Sequence, residues 1–274
     1  MSNIRKPLLG ELLDYGNPFT KGLVAYYLMN EGSGNTVQDL SGNSSLGTFT
    51  TEGGAKPNWT SGETGPAINF SGTSKDRIVC TNTVPITGSF TCITKFKLDA
   101  YVNNAALVDA SYANQFLFRF SAANQLQCYV AGLHDIMVST KNDFHTDLTW
   151  HTAALVHDEV ANTKTVYVDG VFDKTAASND TPTGVTTYDI GAYADSDEMN
   201  GLIEYVYIYN HALSASEIQQ LYREPFCMFV DDMPVAMMYS YGAAPAPTGQ
   251  VILIQMSAVP IALMGLFWLR KRAA

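Results

Sequence analysis

The sequence between Leu23 and Asn210 consists of short apolar or alternating segments that are separated by residues typical of turns. The segments are shorter than ordinary amphipathic helices and are rich in Val, Ile, Tyr, Phe and Thr, which favour strands. They are LVAYYLM, AINF, RIVC, FTCITKFKL, FLFRF, LQCYV, TAALVH, TVYVDGVF, YDIGAY and LIEYVYIYN. Short strands at regular spacing are typical of β-sandwiches and jelly rolls. The sequence therefore predicts an all-β fold.

The segment KTVYVDGVFDK contains a clear local signal for a hairpin. Apolar and polar residues alternate on both sides of Asp169 and Gly170. Because Asp-Gly readily adopts the positive φ angles of a type I′ turn, we expect two antiparallel strands joined at this dipeptide.

One helix is predicted within LSASEIQQLYREP. Ser214 is placed to cap its N-terminus, and Glu217 is placed to complete a capping box. The apolar residues Ile218, Leu221 and Tyr222 fall on one helical face, which we expect to be buried.

The charge balance limits the class of partner. The chain has a formal net charge of −10 and a pI near 4.8. An acidic surface repels the phosphate backbone, so we expect no nucleic-acid partner.

The four cysteines form neither a CxxC pair nor a zinc-ligand spacing, and we expect small buried thiols, with disulfides left open. They are Cys80, Cys92, Cys128 and Cys227.

The character of the sequence changes after Phe229. Residues 230–250 read as a linker rich in Pro, Ala and Gly, and residues 251–269 contain no charge before the basic sequence RKR. A segment of that length can cross most of a hydrocarbon layer about 30 Å thick. It can equally add a strand to a neighbouring subunit or pack into a partner's groove. A membrane segment and an assembly arm both stay open.

Four segments, in this order, resemble a known family: GLVAYYLMNEGSGNTVQDLSGNSSLGTF, GPAINFSGTSKDRIVC, WHTAALVHDEVANTKTVYVDGVF and GLIEYVYIYNHALSASEIQQLYR. Over residues 20–223 the chain is similar to laminin-G-like domains of the concanavalin A-like lectin and glucanase superfamily. The resemblance implies a two-sheet antiparallel jelly-roll sandwich, here with one short C-terminal helix. The flanks NPFTKGLVAYYLMNEGSG and LYREPFCMF are similar to versions encoded by tailed bacteriophages and prophages. That likeness implies a virion protein assembled in the host cytoplasm.

This organisation predicts four parts. They are an N-terminal arm at 1–19, the laminin-G-like jelly-roll domain at 20–229, the linker at 230–250 and the hydrophobic tail at 251–274. The arm does not read as a secretion signal, because Glu11, Asp14 and Pro18 interrupt its apolar run.

The family resemblance also implies a structural calcium ion. In QDLSGN, Asp39 precedes a tight turn whose oxygen atoms suit a hard cation. In the family such a turn often lies near an acidic residue on a late strand, here Glu204, so the resemblance implies Ca²⁺ held by Asp39, Asn43 and Glu204. Tyr205 stands where a second acid is common in the family. The loss of that carboxylate would weaken calcium binding. The alternative is that the residues after Asp39 serve only the turn.

Sugar binding uses an exposed aromatic ring with amide or carboxylate groups nearby. Four aromatic residues lie beside loops that contain Asn or Asp, and we take them as candidate ligand-binding residues. They are Trp59, Tyr101, Tyr112 and Tyr193.

Glycoside hydrolysis is disfavoured by the pattern of acidic residues. A retaining enzyme needs two carboxylates about 5 to 5.5 Å apart, and the E-x-D-x-E strand of the superfamily's hydrolases has no counterpart in this sequence. The acidic run DSDE at 195–198 is expected in a loop. His145, His151 and His157 recur at six-residue intervals. A strand would hold the last two about 20 Å apart, so we expect structural roles for them.

We therefore expect a non-enzymatic virion structural protein, a capsid decoration or a tail or fibre component, whose lectin-like domain faces outward and binds host glycans. Its partners are expected to be other virion proteins or copies of itself, reached through the C-terminal tail. A membrane-anchored carbohydrate-binding or adhesion module, with residues 251–269 in the membrane, is the alternative. A glycoside hydrolase of the same superfamily is the third hypothesis.

Overall fold

The computed structural model describes residues 5–230, except for 44–45, 52–55, 73–75, 111–115, 132–135, 145 and 194–196. Residues 231–274, which hold most of the predicted linker and all of the predicted tail, lie outside the described part. Within the described ranges, the chain has no helix with the length and apolar character that a membrane crossing requires.

The described residues form two eight-stranded sheets in which all neighbouring strands are antiparallel. The strands of sheet I are β1 Leu23–Tyr27, β4 Asn58–Ser61, β5 Pro66–Ser71, β7 Phe90–Leu98, β12 His151–Asp158, β13 Thr163–Val168, β14 Val171–Ala177 and β16 Asn200–Tyr209. The strands of sheet II are β2 Thr36–Val37, β3 Gly47–Thr50, β6 Arg77–Thr87, β8 Ala106–Asp109, β9 Phe116–Phe120, β10 Leu126–Val130, β11 Met137–Val138 and β15 Thr183–Ile190. The order in sheet I is β14-β13-β12-β7-β16-β5-β4, with β1 also paired to β16, and the order in sheet II is β11-β10-β9-β8-β15-β6-β3-β2. The predicted two-sheet sandwich is confirmed.

The main core lies between the two sheets. Along β16, Val206 and Ile208 face this core, whereas Tyr205, Tyr207 and Tyr209 face the outer side of sheet I. Both sets are buried. A strand that is covered on both faces reads as a continuous apolar run, which explains the sequence LIEYVYIYN.

The outer face of sheet I is covered by residues from both ends of the domain. The helix α1, Ala215–Arg223, and the segments on either side of the strands contribute the covering side chains. They include Leu13, Phe19, Ile218, Leu221, Met228 and Phe229. Leu13 forms an antiparallel bridge with Phe229. Residues of the predicted N-terminal arm therefore pack as a layer on sheet I.

The predicted hairpin is confirmed between β13 and β14. Asp169 and Gly170 have φ angles of 52° and 75°, as a type I′ turn requires, and Val168 pairs with Val171 across the turn.

The predicted helix is confirmed, with one correction to its buried face. The side chain of Ser214 caps the helix, and Ser214 and Glu217 form the capping box. Ile218 and Leu221 are buried, but Tyr222 is 41% exposed. Tyr222 lies above the hairpin turn, where a Cβ atom on Gly170 would come within 2.8 Å of the Tyr222 side chain.

The cysteines are unpaired, and three of them pack as buried thiols, as expected. Cys80, Cys92 and Cys128 lie on β6, β7 and β10 and belong to the main core. Cys227 follows the helix and is half-buried, and burial raises its pKa to about 11.

Candidate functional site

The outer face of sheet II carries polar and charged side chains, in contrast to the covered face of sheet I. Asp189 on β15 pairs with Asp109 on β8, and Arg119 on β9 pairs with Gln127 on β10. The residues next to these four along each strand belong to the core between the sheets. Since side chains alternate along a strand, the four polar side chains point outward.

Arg119 organises a polar and aromatic group on this face. Its Nε donates to Gln127 Oε1 at 2.8 Å, and its Nη2 donates to the Tyr129 hydroxyl at 2.8 Å. The guanidinium also lies over the Tyr129 ring, 5.1 Å from the centroid. The Tyr129 hydroxyl donates in turn to Gln127 Oε1 at 3.0 Å. These bonds hold the three side chains in one fixed arrangement.

Two loop residues complete the group, which we call the Arg119 cluster: Arg119, Gln127, Tyr129, Tyr193 and Asp197. Tyr193 is half-buried and packs against Tyr129 and its apolar neighbours. Asp197 Oδ2 lies 3.5 Å from Arg119 Nη1. Burial raises the pKa of Asp197, although the charge of Arg119 acts in the opposite direction. The structure therefore places the predicted ligand-binding residue Tyr193 on the same small cluster as Tyr129, whose hydroxyl is bonded to Arg119 and Gln127.

The structure describes residues 197 and 198 of the acidic run 195–198, and both lie in a loop. Asp197 is not simply solvated, because it is paired with Arg119. Residues 194–196 lie outside the described part.

A pair of carboxylates lies on the same face of sheet II. Asp109 and Asp189 are directly opposite each other on neighbouring strands, and only 1% and 3% of their surfaces are exposed. Asp189 Oδ2 is 3.1 Å from Arg77 Nε. Buried carboxylates next to an arginine are typical of ion pairs that fix a sheet.

The predicted ligand-binding residue Trp59 lines a separate open cleft at the edge of sheet I. The cleft has a volume of about 760 Å³. Its lining residues are Gly32, Trp59, Thr60, Ser61, Gly62, Glu63, Thr64, Gly65 and Pro66. The Trp59 ring packs 5.7 Å from the ring of Phe49, and its Nε1 donates to the Gly34 carbonyl at 2.9 Å. We call this site the Trp59 cleft.

The turn that lines the Trp59 cleft is fixed by buried charges. Glu204 Oε1 accepts the Thr64 N–H at 2.6 Å, and Glu204 Oε2 lies 3.2 Å from Lys95 Nζ. Lys95 also donates to Glu63 at 2.5 Å. Glu204 and Lys95 are 0% and 8% exposed, so both charges have been removed from water and depend on these partners.

Lys6 supports the same turn from the N-terminal segment. Its Nζ donates to the carbonyl oxygens of Glu204 at 2.7 Å, Met29 at 3.2 Å and Pro66. Burial lowers the pKa of Lys6 to about 7, against the charge of Glu204, which favours the ammonium. Three carbonyl acceptors match the three donors of a protonated lysine.

Asp39, a predicted calcium ligand, anchors its own turn. Its Oδ1 accepts the N–H groups of Tyr26 at 2.6 Å and Ser41 at 3.1 Å. Its Oδ2 accepts the Ser41 hydroxyl at 2.6 Å and the Asn43 N–H at 3.2 Å. Glu31 closes the preceding turn in the same way, by accepting the Gln38 N–H at 2.6 Å.

The arrangement around Asp39 does not fit the ion that the resemblance implies. Calcium takes oxygen ligands, whereas N–H and O–H donors surround this carboxylate. Asp39 and Asn43 share one turn, but Glu204 contacts Thr64, Lys6 and Lys95 instead. Among the residues that the structure describes, no group of three or more His, Cys, Asp or Glu is arranged to hold a metal. These contacts argue against the calcium ion that the resemblance implies on Asp39, Asn43 and Glu204, and the calcium dependence of stability tests it.

The remaining predicted residues lie elsewhere. The Tyr101 hydroxyl lies 3.0 Å from Ser121 O and 3.1 Å from Asn103 Oδ1, both within hydrogen-bond distance, so this residue closes a loop. Tyr112 and His145 lie outside the described residues.

Two of the three histidines lie on β12 and have buried positions. His151 Nδ1 is 2.7 Å from Asp169, and its Nε2 is 2.9 Å from Asp147. Burial acts to lower the pKa of His151, but the hydrogen bonds and charges of the two aspartates outweigh it and raise the pKa. His157 packs beside Phe90, and burial lowers its pKa.

Arg119, Gln127 and Tyr129 are not among the binding residues predicted from the sequence. A signal was present, because Arg119 in FLFRF and Gln127 in LQCYV are polar residues at outward positions of apolar strands. Their meeting depends on the register of β9 with β10, which pairs Arg119 with Gln127 and Leu117 with Tyr129.

Solved structures share this fold at low sequence identity. Domain 4 of AbnA, a GH43 extracellular arabinanase from Geobacillus stearothermophilus, in complex with arabinotriose, has a TM-score of 0.59 and 18% identity, covering 73% of this chain and 97% of that one. The binding domain of Paraclostridial Mosquitocidal Protein 1 has a TM-score of 0.60 and 14% identity, covering 76% and 53%. Botulinum neurotoxin type C, whose cell entry depends upon interaction with two ganglioside molecules, has a TM-score of 0.56 and 13% identity, covering 74% and 51%. The chain thus spans about half of the two toxin structures. Such identities show a shared fold alone.

Comparison with curated proteins finds no significant relative. The family described as the concanavalin A-like lectin/glucanases superfamily, of laminin-G type, matches residues 71–219, more than half of the chain. The relationship to tailed bacteriophages stays a prediction. The chain belongs to the concanavalin A-like lectin/glucanases superfamily.

Proposed function

We propose that this chain is a non-enzymatic carbohydrate-binding protein whose Arg119 cluster on sheet II contacts the sugar. The observation that carries the proposal is the difference between the two outer faces. Sheet I is covered by apolar side chains from both ends of the domain, whereas sheet II carries the partly exposed guanidinium of Arg119, amide of Gln127, carboxylate of Asp197 and ring of Tyr193, which pack with the buried Tyr129.

The chemistry of the Arg119 cluster suits a polyhydroxylated ligand. Planar groups such as the guanidinium of Arg119 and the amide of Gln127 offer donors and acceptors in fixed directions. The ring of Tyr193 offers a flat apolar surface for the C–H side of a sugar ring. Because Arg119, Gln127 and Tyr129 are already bonded to one another, little side-chain entropy is lost when a ligand binds.

One similar structure supports this class of ligand. AbnA domain 4 is solved in complex with arabinotriose, and 97% of that domain matches this chain. The fold is thus compatible with binding an oligosaccharide, while the residues that would do so in this chain are its own.

A non-enzymatic role is supported by the burial and pairing of the carboxylates of Asp109 and Asp189. Asp109 and Asp189 are the facing pair on sheet II, but they are buried, and Asp189 is engaged by Arg77. A hydrolytic pair must reach the glycosidic bond from either side. Release of reducing sugar by the full chain, and its loss in Asp189→Asn, would instead support the hydrolase hypothesis.

We also propose that the chain is a virion structural component that assembles with neighbours. Several apolar side chains of the N-terminal segment are exposed to solvent, and the exposed Val230 lies next to them because its N–H donates to the Leu12 carbonyl at 3.1 Å. The exposed side chains are Leu8, Leu9, Leu12, Tyr15 and Val230. An apolar surface of this kind is typical of an assembly contact. Many copies on a particle would raise weak sugar affinity by about 10² to 10⁴.

The carbohydrate proposal is tested by applying the full chain to a glycan array. We expect capture of a defined subset of glycans, and weakened capture by Arg119→Ala. Capture of no glycan by the wild-type chain would contradict the proposal.

The assembly proposal is tested separately by comparing the full chain with a version that ends at Gly249. We expect a discrete oligomer of the full chain without lipid and a smaller species of the shortened chain. Extraction of the full chain from membranes only with detergent would support the membrane-anchored alternative instead.

A further inference from the structure

We propose that the Trp59 cleft is a second, independent sugar site that takes a neutral saccharide, and that Glu204, Lys95 and Lys6 act as positioning residues beneath it. The Arg119 cluster lies on the outer face of sheet II, whereas the Trp59 cleft lies at the edge strand β4 of sheet I. The two sites share no residue, so the proposal does not depend on the Arg119 cluster.

The lining of the cleft has the composition of a sugar site. Trp59 supplies a partly buried aromatic ring, which packs beside Phe49 and lines the cleft. Around it are the hydroxyl groups of Thr60, Ser61 and Thr64 and the peptide groups of glycines. An aromatic surface beside hydroxyl and peptide groups can contact both the apolar face and the hydroxyl groups of a sugar.

The charge of the cleft selects against acidic sugars. Among the described residues that line it, Glu63 is the one that carries a charge, and 54% of its side chain is exposed. Lys95, the cation paired with Glu63, is shared between Glu63 and Glu204. A carboxylate or sulfate group near Glu63 would therefore meet a carboxylate whose cation is already paired. This favours neutral saccharides.

The turn that lines the cleft is held by hydrogen bonds to buried residues and within the turn itself. The Thr64 N–H donates to Glu204 Oε1, and the Thr64 carbonyl accepts the Lys6 N–H at 2.9 Å. Gly62 N–H donates to the Gly65 carbonyl at 2.7 Å. A Cβ atom on Gly62 would lie 2.5 Å from Glu204 Oε1, so only glycine allows the turn to sit directly on this carboxylate.

This arrangement explains why the domain buries ionic groups at this point. A buried ion pair adds little net stability compared with apolar packing, but it fixes the position of the groups that it contacts. Here the groups that it fixes are those that line the cleft. Pre-organisation of that kind lowers the entropic cost of binding a ligand.

The test uses the full chain and four neutral trisaccharides as probes: arabinotriose, maltotriose, cellotriose and triacetylchitotriose. Binding is measured by calorimetry at millimolar sugar concentration for the wild type and for Trp59→Ala. Ser61→Tyr is the second variant, because Ser61 is exposed and a large ring there fills the cleft without disturbing the core. Gln219→Tyr, at an exposed position of α1, is the matched control.

We expect at least one probe to bind, and both cleft variants to weaken its binding about tenfold or more. Gln219→Tyr and Arg119→Ala should bind that probe as the wild type does. If Trp59→Ala does not fold, Ser61→Tyr decides the result alone. Glu204→Gln should weaken binding of the same probe. It should not change the affinity of the Arg119 cluster for its own glycan.

Three results would overturn the proposal. One is that none of the four probes binds, and another is that Ser61→Tyr binds as tightly as the wild type. The third is that Arg119→Ala abolishes trisaccharide binding while Ser61→Tyr does not, which would leave a single site on sheet II. That last result removes the second site and leaves the proposed carbohydrate-binding function intact.

Discussion

The carboxylate of Glu204 lies 3.2 Å from the ammonium of Lys95, and both groups are buried in sheet I. The pair is formed where β16 runs beside β7, since Lys95 pairs with Tyr205, the residue after Glu204. The second oxygen of Glu204 holds the Thr64 N–H. The acid that the family resemblance assigns to a metal thus serves here to join the centre of the sheet to the turn of the Trp59 cleft.

The first prediction concerns the stability that Glu204 provides. Glu204→Ala should lower the free energy of unfolding by about 3 to 5 kcal/mol, because it leaves Lys95 with one partner fewer and the Thr64 N–H without an acceptor. Glu204→Gln keeps an oxygen for Thr64 and should cost less. Urea unfolding of the full chain measures both. Glu63→Gln is the control, since Glu63 is half-exposed and its pair should be worth about 0 to 1 kcal/mol. Equal losses in Glu204→Ala and Glu63→Gln would refute the argument.

Features that depend on residues adjacent in sequence can be predicted from it, whereas contacts between distant residues cannot. The turn at Asp169 and Gly170 and the helix cap at Ser214 are of the first kind, and both are predicted correctly. Glu204 meets Lys6, which is 198 residues away. No local pattern encodes that contact, because it depends on how the N-terminal segment packs on sheet I.

The candidate site shows the same limit. The loop around Tyr193 predicts a surface aromatic residue, but the cluster on which it packs includes Leu117 and Tyr129, from strands whose register cannot be predicted from single segments. Tyr101 had the same loop signal and instead donates to Ser121 O. An aromatic residue beside a polar loop therefore indicates a surface without deciding whether its ring faces a ligand.

The second prediction concerns the turn at Asp39. Asp39→Ala removes the acceptor of the Tyr26, Ser41 and Asn43 N–H groups. We expect a loss of about 1 to 3 kcal/mol in the free energy of unfolding, because donors that are partly buried lose their acceptor. Asp39→Asn, which keeps one of the two oxygens, should lose less. A wild-type unfolding curve for Asp39→Ala would show that the turn does not depend on this carboxylate.

The third prediction concerns calcium. Because donors occupy the oxygens of Asp39, we expect EDTA to leave the thermal midpoint of the wild-type chain unchanged and added Ca²⁺ to have no larger effect than Mg²⁺. The measurement is a thermal melt of the full chain in the three conditions. A midpoint that rises specifically with Ca²⁺, and does not rise in Asp39→Asn, would favour the ion implied by the family resemblance.

The fourth prediction is a pH dependence that His151 causes. Its pKa is raised in the folded state by Asp169 and Asp147, despite burial. The protonated imidazolium is thus favoured by folding, so its stabilisation is complete below the unfolded value of about 6.5 and is lost as the pH rises through the raised pKa. The free energy of unfolding of the wild type should fall across that window relative to His151→Gln. Parallel pH profiles for the two chains would contradict this assignment.

We propose that sheet II binds carbohydrate through Arg119. The most direct test is calorimetry of the full chain with a glycan captured on the array, comparing the wild type, Arg119→Ala and Arg223→Ala. Arg223 is the matched control because it is an exposed arginine on α1, on the covered side of sheet I. We expect Arg119→Ala to raise Kd about tenfold or more, with a far-UV spectrum like that of the wild type, and Arg223→Ala to leave Kd unchanged. An unchanged Kd for Arg119→Ala, or an equal loss in both variants, would contradict it.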